Sequence, residues 1–200
     1  MHFLRVVTIA SVACVSTCIA DDNTGVPLPL WQIVQTRHSS DLAGIDRVRV
    51  FALSFADVGG DASRLQPKTY LVRPASPVAQ NGSVILDSPA ISVTSLALRT
   101  ITGMNAQRIV DDWRSLNVNR CGSLCQKPTY GIEFYRGNTL AFKVAVCWKC
   151  QKISLPTIDP TNGDRAVALY GFDDNASAKK LLSELRRLVP HPQIPDPPLR

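Results

Sequence analysis

The residues best equipped for chemistry are cysteines. The chain has six: Cys14 and Cys18 lie in an apolar N-terminal run, and the other four form two short pairs, Cys121-x3-Cys125 and Cys147-x2-Cys150. Three chemistries suit the four downstream thiols. Structural disulfides are the default for an exported chain with an even cysteine count, each stabilising the fold by about 2–4 kcal/mol. The alternative is a zinc site with Cys121, Cys125, Cys147 and Cys150 as four thiolate ligands at near-ribbon spacing. Neither pair, however, is followed by the glycine usual in a zinc ribbon. The third is thiol redox at Cys147-Trp148-Lys149-Cys150. That motif sits in strand-like sequence rather than at a helix N-terminus, where the dipole would lower a thiol pKa.

For the two pairs to meet, the segment between them must be a hairpin. Tyr130, Ile132 and Phe134 share one face of a strand, and Leu140, Phe142, Val144, Val146 and Trp148 share one face of the next. A two-residue loop at Gly137-Asn138 would set the two apolar faces on opposite sides. A three-residue loop, Arg136-Gly137-Asn138 with Asn138 left-handed, brings Phe134 opposite Leu140, Ile132 opposite Phe142 and Tyr130 opposite Val144. The same register carries Lys127 opposite Cys147 and Leu124 opposite Cys150, so Cys125 arrives beside the second pair. The apolar phase changes after Cys150 to Ile153 and Leu155, which predicts a bulge or tight bend over Cys147–Cys150.

The surrounding elements read as α+β: an antiparallel β-meander flanked by two amphipathic helices in a single domain. Arg47–Phe55 predicts a strand, as do Thr129–Tyr135, Leu140–Trp148, Gln151–Leu155 and Ala166–Phe172. Tyr70–Arg73 and Ser83–Leu86 predict short ones, with a loop over 56–68. Thr102 is the expected N-cap of a helix whose stripe is Ala106, Ile109, Val110, Trp113 and Leu116, with Gln107, Arg108, Asp111, Asp112 and Arg114 on its wet side. A second helix starts near Asp174 or Asn175, carries Ala178, Leu181, Leu182, Leu185 and Leu188, and stops at Pro190.

The termini predict export. Residues 1–20 read as a signal peptide: Arg5 lies in the charged end, an uncharged run follows, and Ala20 meets Asp21-Asp22. Cys14 and Cys18 also stand in lipobox-like settings, so a lipid-anchored form is the competing processing route. Residues 21–29 predict a flexible leader, 30–189 the α+β domain, and 190–200 a Pro-rich extended tail. The expected location is periplasmic or extracellular, with membrane attachment only through a lipid anchor. Removing residues 1–20 takes away Arg5 alone, leaving 21 Lys+Arg against 16 Asp+Glu, a formal +5. These charges are scattered and lack the basic–aromatic interleaving of a nucleic-acid binder, so nucleic acid is not an expected partner. The remaining 180 residues suffice to bury roughly 70% of their extended surface, so the cysteines need not replace a core.

A resemblance attaches to the hairpin. Cys125-Gln-Lys-Pro128-Thr-Tyr130-Gly131-Ile132 followed by Val146-Cys147-Trp148-Lys149-Cys150 resembles a C-x-x-P-x-[HY]-G-[IL] … [VI]-C-[FW]-x-C pattern of uncharacterised, often exported bacterial proteins. It covers about thirty residues, implies no activity and does not include Cys121, which makes Cys121 the least certain member of a thiolate set.

Other candidates read as structure. His38, in Thr-Arg-His-Ser-Ser-Asp, is expected in a solvated polar loop rather than in a triad, which assembles from distant segments. Asp159-Pro-Thr-Asn-Gly-Asp164 is expected to be a turn, its spacing departing from an EF-hand. Asp173-Asp174 is expected to cap the last helix, and Trp113 and Trp148 to be core. No phosphate-binding loop, HExxH or nucleophile elbow occurs in the sequence. The functional expectation is an exported, non-catalytic binding or envelope-associated domain with no cofactor, acting on a protein or envelope component. Thiol-redox or zinc chemistry at Cys147/Cys150 is the alternative, and a hydrolase using His38 is third.

Overall fold

A computed structural model of the chain describes residues 28–57, 69–73, 76–80, 84–88, 91–120 and 127–192. Residues 1–20, expected as a signal peptide, lie outside the described residues, as do Gly59-Gly60-Asp61, Ser83, Cys121, Cys125 and the end of the expected Pro-rich tail.

The described residues open with α1 (Leu28–His38) and a 3-10 turn (Ser40–Leu42) before strand β1 (Arg47–Asp57). Next come β2 (Thr69–Arg73), β3 (Ser76–Gln80), β4 (Val84–Ser88) and the long β5 (Ile91–Thr102). Helix α2 (Gly103–Arg114) leads to the two-residue β6 (Val118–Asn119). The meander is β7 (Tyr130–Arg136), β8 (Thr139–Cys147), β9 (Lys152–Ile158) and β10 (Arg165–Phe172), and α3 (Ala176–Leu188) follows. The class is α+β, with an eight-stranded antiparallel sheet in the order β2-β5-β1-β7-β8-β9-β10-β6; β3 and β4 pair separately.

Strand alternation sends Val48, Val50, Tyr130, Ile132, Phe134, Val144, Ile153 and Tyr170 to one face, where they join α1, α2 and α3 in the main core. The opposite face carries a smaller cluster of Phe51, Leu53, Tyr70, Val93 and Ala145. The α2 stripe Ala106, Ile109, Val110, Trp113 and Leu116 is buried throughout. In α3 the Asn175 side chain accepts from the Ala178 N–H at 3.1 Å, supplying the cap that Asp173-Asp174 was expected to provide. Asp173 instead accepts from the side chains of Asn117 and Asn119. Asp112, expected on the wet side of α2, is 5% exposed and meets Lys180 Nζ at 2.5 Å, because α3 packs across that face.

The hairpin keeps the two-residue Gly137-Asn138 turn, with Arg136 opposite Thr139. A bulge at Ala141, rather than a longer loop, then restores the apolar register: Phe134 faces Phe142, Ile132 faces Val144 and Tyr130 faces Val146. Gly137 (φ +54°), not Asn138, takes the left-handed position. The turn is held from outside the hairpin. Gly137 N–H donates to the Asp46 carboxylate at 3.0 and 3.1 Å, and Arg136 donates to the Ala43 and Asp41 carbonyls at 2.8 and 2.6 Å.

Both ends of the domain reach further than the sequence pattern predicts. Leu28 and Pro29, expected in the leader, open α1, where the missing N–H of Pro29 falls among groups that have no intrahelical acceptor anyway. At the other end His191 is 5% exposed, its Nε2 lies 3.0 Å from the Leu53 carbonyl, and its ring meets Tyr130 edge-on. The start of the expected tail therefore packs against β1 and β7.

Candidate functional site

The cysteine turn follows from the strand phases. β8 ends at Cys147, β9 begins at Lys152, and Cys147 pairs with Lys152, so Trp148-Lys149-Cys150-Gln151 form the tight bend that the phase change predicts. Gln151 adopts φ +52°, the one non-glycine left-handed residue among those described, and its N–H donates to the Trp148 carbonyl at 3.3 Å. Cys147 is buried, and burial pushes its thiol pKa up. Backbone N–H groups of Cys150 and Lys149, with the Lys149 charge, oppose that shift only in part. A thiol so placed is a weak nucleophile, because the thiolate is the reactive species. The Trp148 indole N–H donates to the Ala178 carbonyl at 3.3 Å and the ring packs edge-on with Tyr130 and Phe172, so Trp148 ties the bend to α3. Among the described residues no group of three or more His, Cys, Asp or Glu gathers as a metal site; Cys121 and Cys125 lie outside them.

His38 does not occupy a solvated loop. It ends α1, is 7% exposed, stacks on Trp113 with ring centroids 4.7 Å apart and 9° between planes, and shares a 2.9 Å hydrogen bond with the Tyr170 hydroxyl. Burial lowers its pKa to about 4, so the imidazole is neutral near pH 7. Asp41, the nearby carboxylate of the motif, pairs instead with Arg37. The local run Thr-Arg-His-Ser-Ser-Asp therefore builds a core contact and a helix end. Asp159–Asp164 is a turn as expected: Asp159 and Asn162 side chains accept the N–H groups of Thr161 and Asp164 at 2.8 and 3.0 Å.

The arrangement that sequence reading passed over lies on the sheet face opposite the helices. In Arg47-Val-Arg49-Val the valines turn into the main core, which sends both arginines to the other side. Arg49 pairs in register with Thr100 of β5 and Glu133 of β7, and Arg47 with Thr102 and Tyr135. Arg49 Nη1 donates to Glu133 Oε2 at 3.2 Å and to the Tyr135 hydroxyl at 3.3 Å, while that hydroxyl donates to the same carboxylate oxygen at 2.7 Å. This closed triangle satisfies Arg49. Burial and the Glu133 contact together raise the Tyr135 pKa, so the phenol stays protonated.

Arg47 has a different setting. Its guanidinium lies over the Tyr135 ring at 4.6 Å, and its Nε is buried without a hydrogen-bond partner among the described residues. Arg47, Arg49, Thr100 and Tyr135 line a groove of about 330 Å³. Lys143, opposite Glu133 on β8, adds a third cation to this face and sits 5.5 Å from the Tyr70 ring centroid; burial lowers its pKa. The RVRV alternation is the sequence signal for this groove. Its pairing with Glu133 and Tyr135, more than eighty residues away, was not available from local pattern.

No family model, no curated protein and no solved structure matches this chain. None of the described helices is long and apolar enough to cross a membrane.

Proposed function

We propose that the chain is an exported, non-catalytic binding domain, running from α1 at Leu28 to the packed His191 behind a signal peptide over 1–20, and that its partner seats on the sheet face opposite the helices. The observation that carries this reading is the segregation of α1, α2 and α3 to one side of the sheet. The other side is left with a polar strip of Arg47, Arg49, Glu133 and Tyr135 beside Tyr70. In this reading α2 and α3 are the amphipathic pair that supports the sheet, and the strip is the working surface, since side chains held on paired strands are pre-organised for contact. A photo-crosslinking residue at Thr100 is expected to give a discrete adduct in cells of the native host, whereas one at Gln107 on the outer side of α2 is not. Equal labelling at both positions, or none at Thr100, overturns the proposal.

The cysteine cluster fixes the hairpin through a disulfide from Cys150 to a cysteine of segment 121–126. Cys150 is disulfide-bonded, which supports this pairing. Both flanks of that segment also end near the bend: Asn119 pairs with Gly171 beside Lys152, and the Thr129 N–H donates to the Val146 carbonyl at 2.7 Å. A second reading, zinc or thiol chemistry at Cys147/Cys150, draws support from the backbone N–H groups of Lys149 and Cys150 directed at the Cys147 sulfur. Metal analysis with a thiol count on the native chain decides between them. One zinc per chain, with all four thiols appearing on its removal, sinks the disulfide.

A further inference from the structure

The groove on the sheet face opposite the helices holds a charge that no described residue answers. Arg49 is balanced by Glu133 at 3.2 Å. Arg47, two residues along the same strand and on the same face, forms no ion pair or hydrogen bond with any described residue and is held by stacking on Tyr135. A guanidinium stacked on an aromatic ring holds its donors in a rigid planar fork, which matches the two oxygens of a carboxylate or phosphate. The stack limits its rotamers, so less conformational entropy is lost when an anion arrives. Lys143 on the neighbouring strand keeps the local balance positive against Glu133. The groove volume of about 330 Å³ suits a small oxyanionic group rather than a broad polymer surface.

We propose that Arg47, stacked on Tyr135 and flanked by Arg49 and Thr100, forms a binding site for a small oxyanionic ligand, a carboxylate or a phosphate. The site deepens the reading of the open face as a binding surface and rests on it. Arg47 supplies the bidentate contact. Thr100 offers a hydroxyl from the adjacent strand. Tyr135 is a positioning residue: its ring orients Arg47, while its hydroxyl is engaged by Glu133 and Arg49.

The test uses the full mature chain, titrated calorimetrically with inorganic phosphate and, separately, with acetate at low salt. Saturable binding of one or both is expected. Phosphate alone identifies a phosphate-bearing ligand, acetate alone a carboxylate, and both a general oxyanion site. Arg47→Ala is expected to weaken binding by about tenfold or more, the scale of a lost charge-assisted hydrogen bond. Arg47→Lys should recover part of the loss, and Tyr135→Phe, which keeps the ring, should leave affinity within about threefold. Thermal melts of each variant show that the fold persists. Saturation by neither probe, or an Arg47→Ala chain that binds as well as the parent, overturns the site. Adducts at Thr100 that persist in such a case would leave the binding-face reading standing and remove only the anion.

Discussion

The His38 imidazole lies parallel to the Trp113 indole, 4.7 Å between centroids, with its Nε2 on the Tyr170 hydroxyl. Three segments far apart in sequence, the end of α1, the end of α2 and β10, thus meet in one aromatic contact. The contact makes the stability of the domain pH-dependent. Burial lowers the folded-state pKa of His38 to about 4 from an ordinary 6.5, so between those values the unfolded chain binds more protons than the folded one. The stabilisation is complete above about pH 6.5 and is lost as pH falls towards 4, by on the order of 3 kcal/mol. His191, also lowered by burial, acts in the same direction. Urea unfolding of the parent at pH 4.5 and 7.5 should show this loss, and His38→Gln, whatever its overall stability, should show a clearly smaller difference between the two pH values.

Gly131 marks the close approach of Tyr70 to the sheet. A Cβ at this position would lie 2.5 Å from the Tyr70 ring, while the Tyr70 hydroxyl donates to the Val144 carbonyl at 2.7 Å. Gly131→Ala is expected to destabilise by about 1–3 kcal/mol through overpacking. In a Tyr70→Ala background the same substitution should cost far less. A double-mutant cycle from denaturant melts checks the coupling.

Asn175 caps α3 through its side-chain oxygen. Asn175→Ala should lower stability by about 1 kcal/mol, and Asn175→Asp should retain most of it, since either side chain accepts the Ala178 N–H. An Asn175→Ala chain as stable as the parent would show that the cap contributes nothing.

Cys147 is buried with its pKa raised by burial. Iodoacetamide at pH 8 should modify it at least about tenfold more slowly in the folded chain than in denaturant, because both access and thiolate fraction are reduced. Alkylation at the rate of a simple thiol in the native state would revive a reactive role for the bend.

Much of the architecture was legible because it is local. The apolar stripes of α2 and α3 repeat at helical spacing, and the four meander strands alternate; each falls within a residue or three of where the pattern predicts it. Asn162-Gly163 turns as expected. The long β5 was not predicted; its last residue, Thr102, was expected only as the N-cap of α2. Ile91–Leu98 alternates only loosely between apolar and polar residues, and the pairing of β5 with β1 and β2 is a property of the sheet. The register of the hairpin was missed by two positions for a related reason. A three-residue loop and a two-residue loop with a bulge at Ala141 both align the apolar faces. The choice falls to Asp46, Ala43 and Asp41, which grip Gly137 and Arg136 from ninety residues away.

What the sequence determined by itself is periodicity: which residues turn inward, where helices start and stop, and that Cys147 and Cys150 sit at a change of phase. These follow from backbone geometry and from the exclusion of apolar side chains from water, both of which act over a few residues. Only the tertiary structure decided the electrostatic environment of the polar groups. It made His38 a neutral core residue by stacking it on Trp113, buried Asp112 against Lys180, and gave Arg49 a partner in Glu133 while placing Arg47 over Tyr135 with no ion-pair partner among the described residues. Such outcomes depend on desolvation and on charges brought together across strands, and no local pattern carries either quantity.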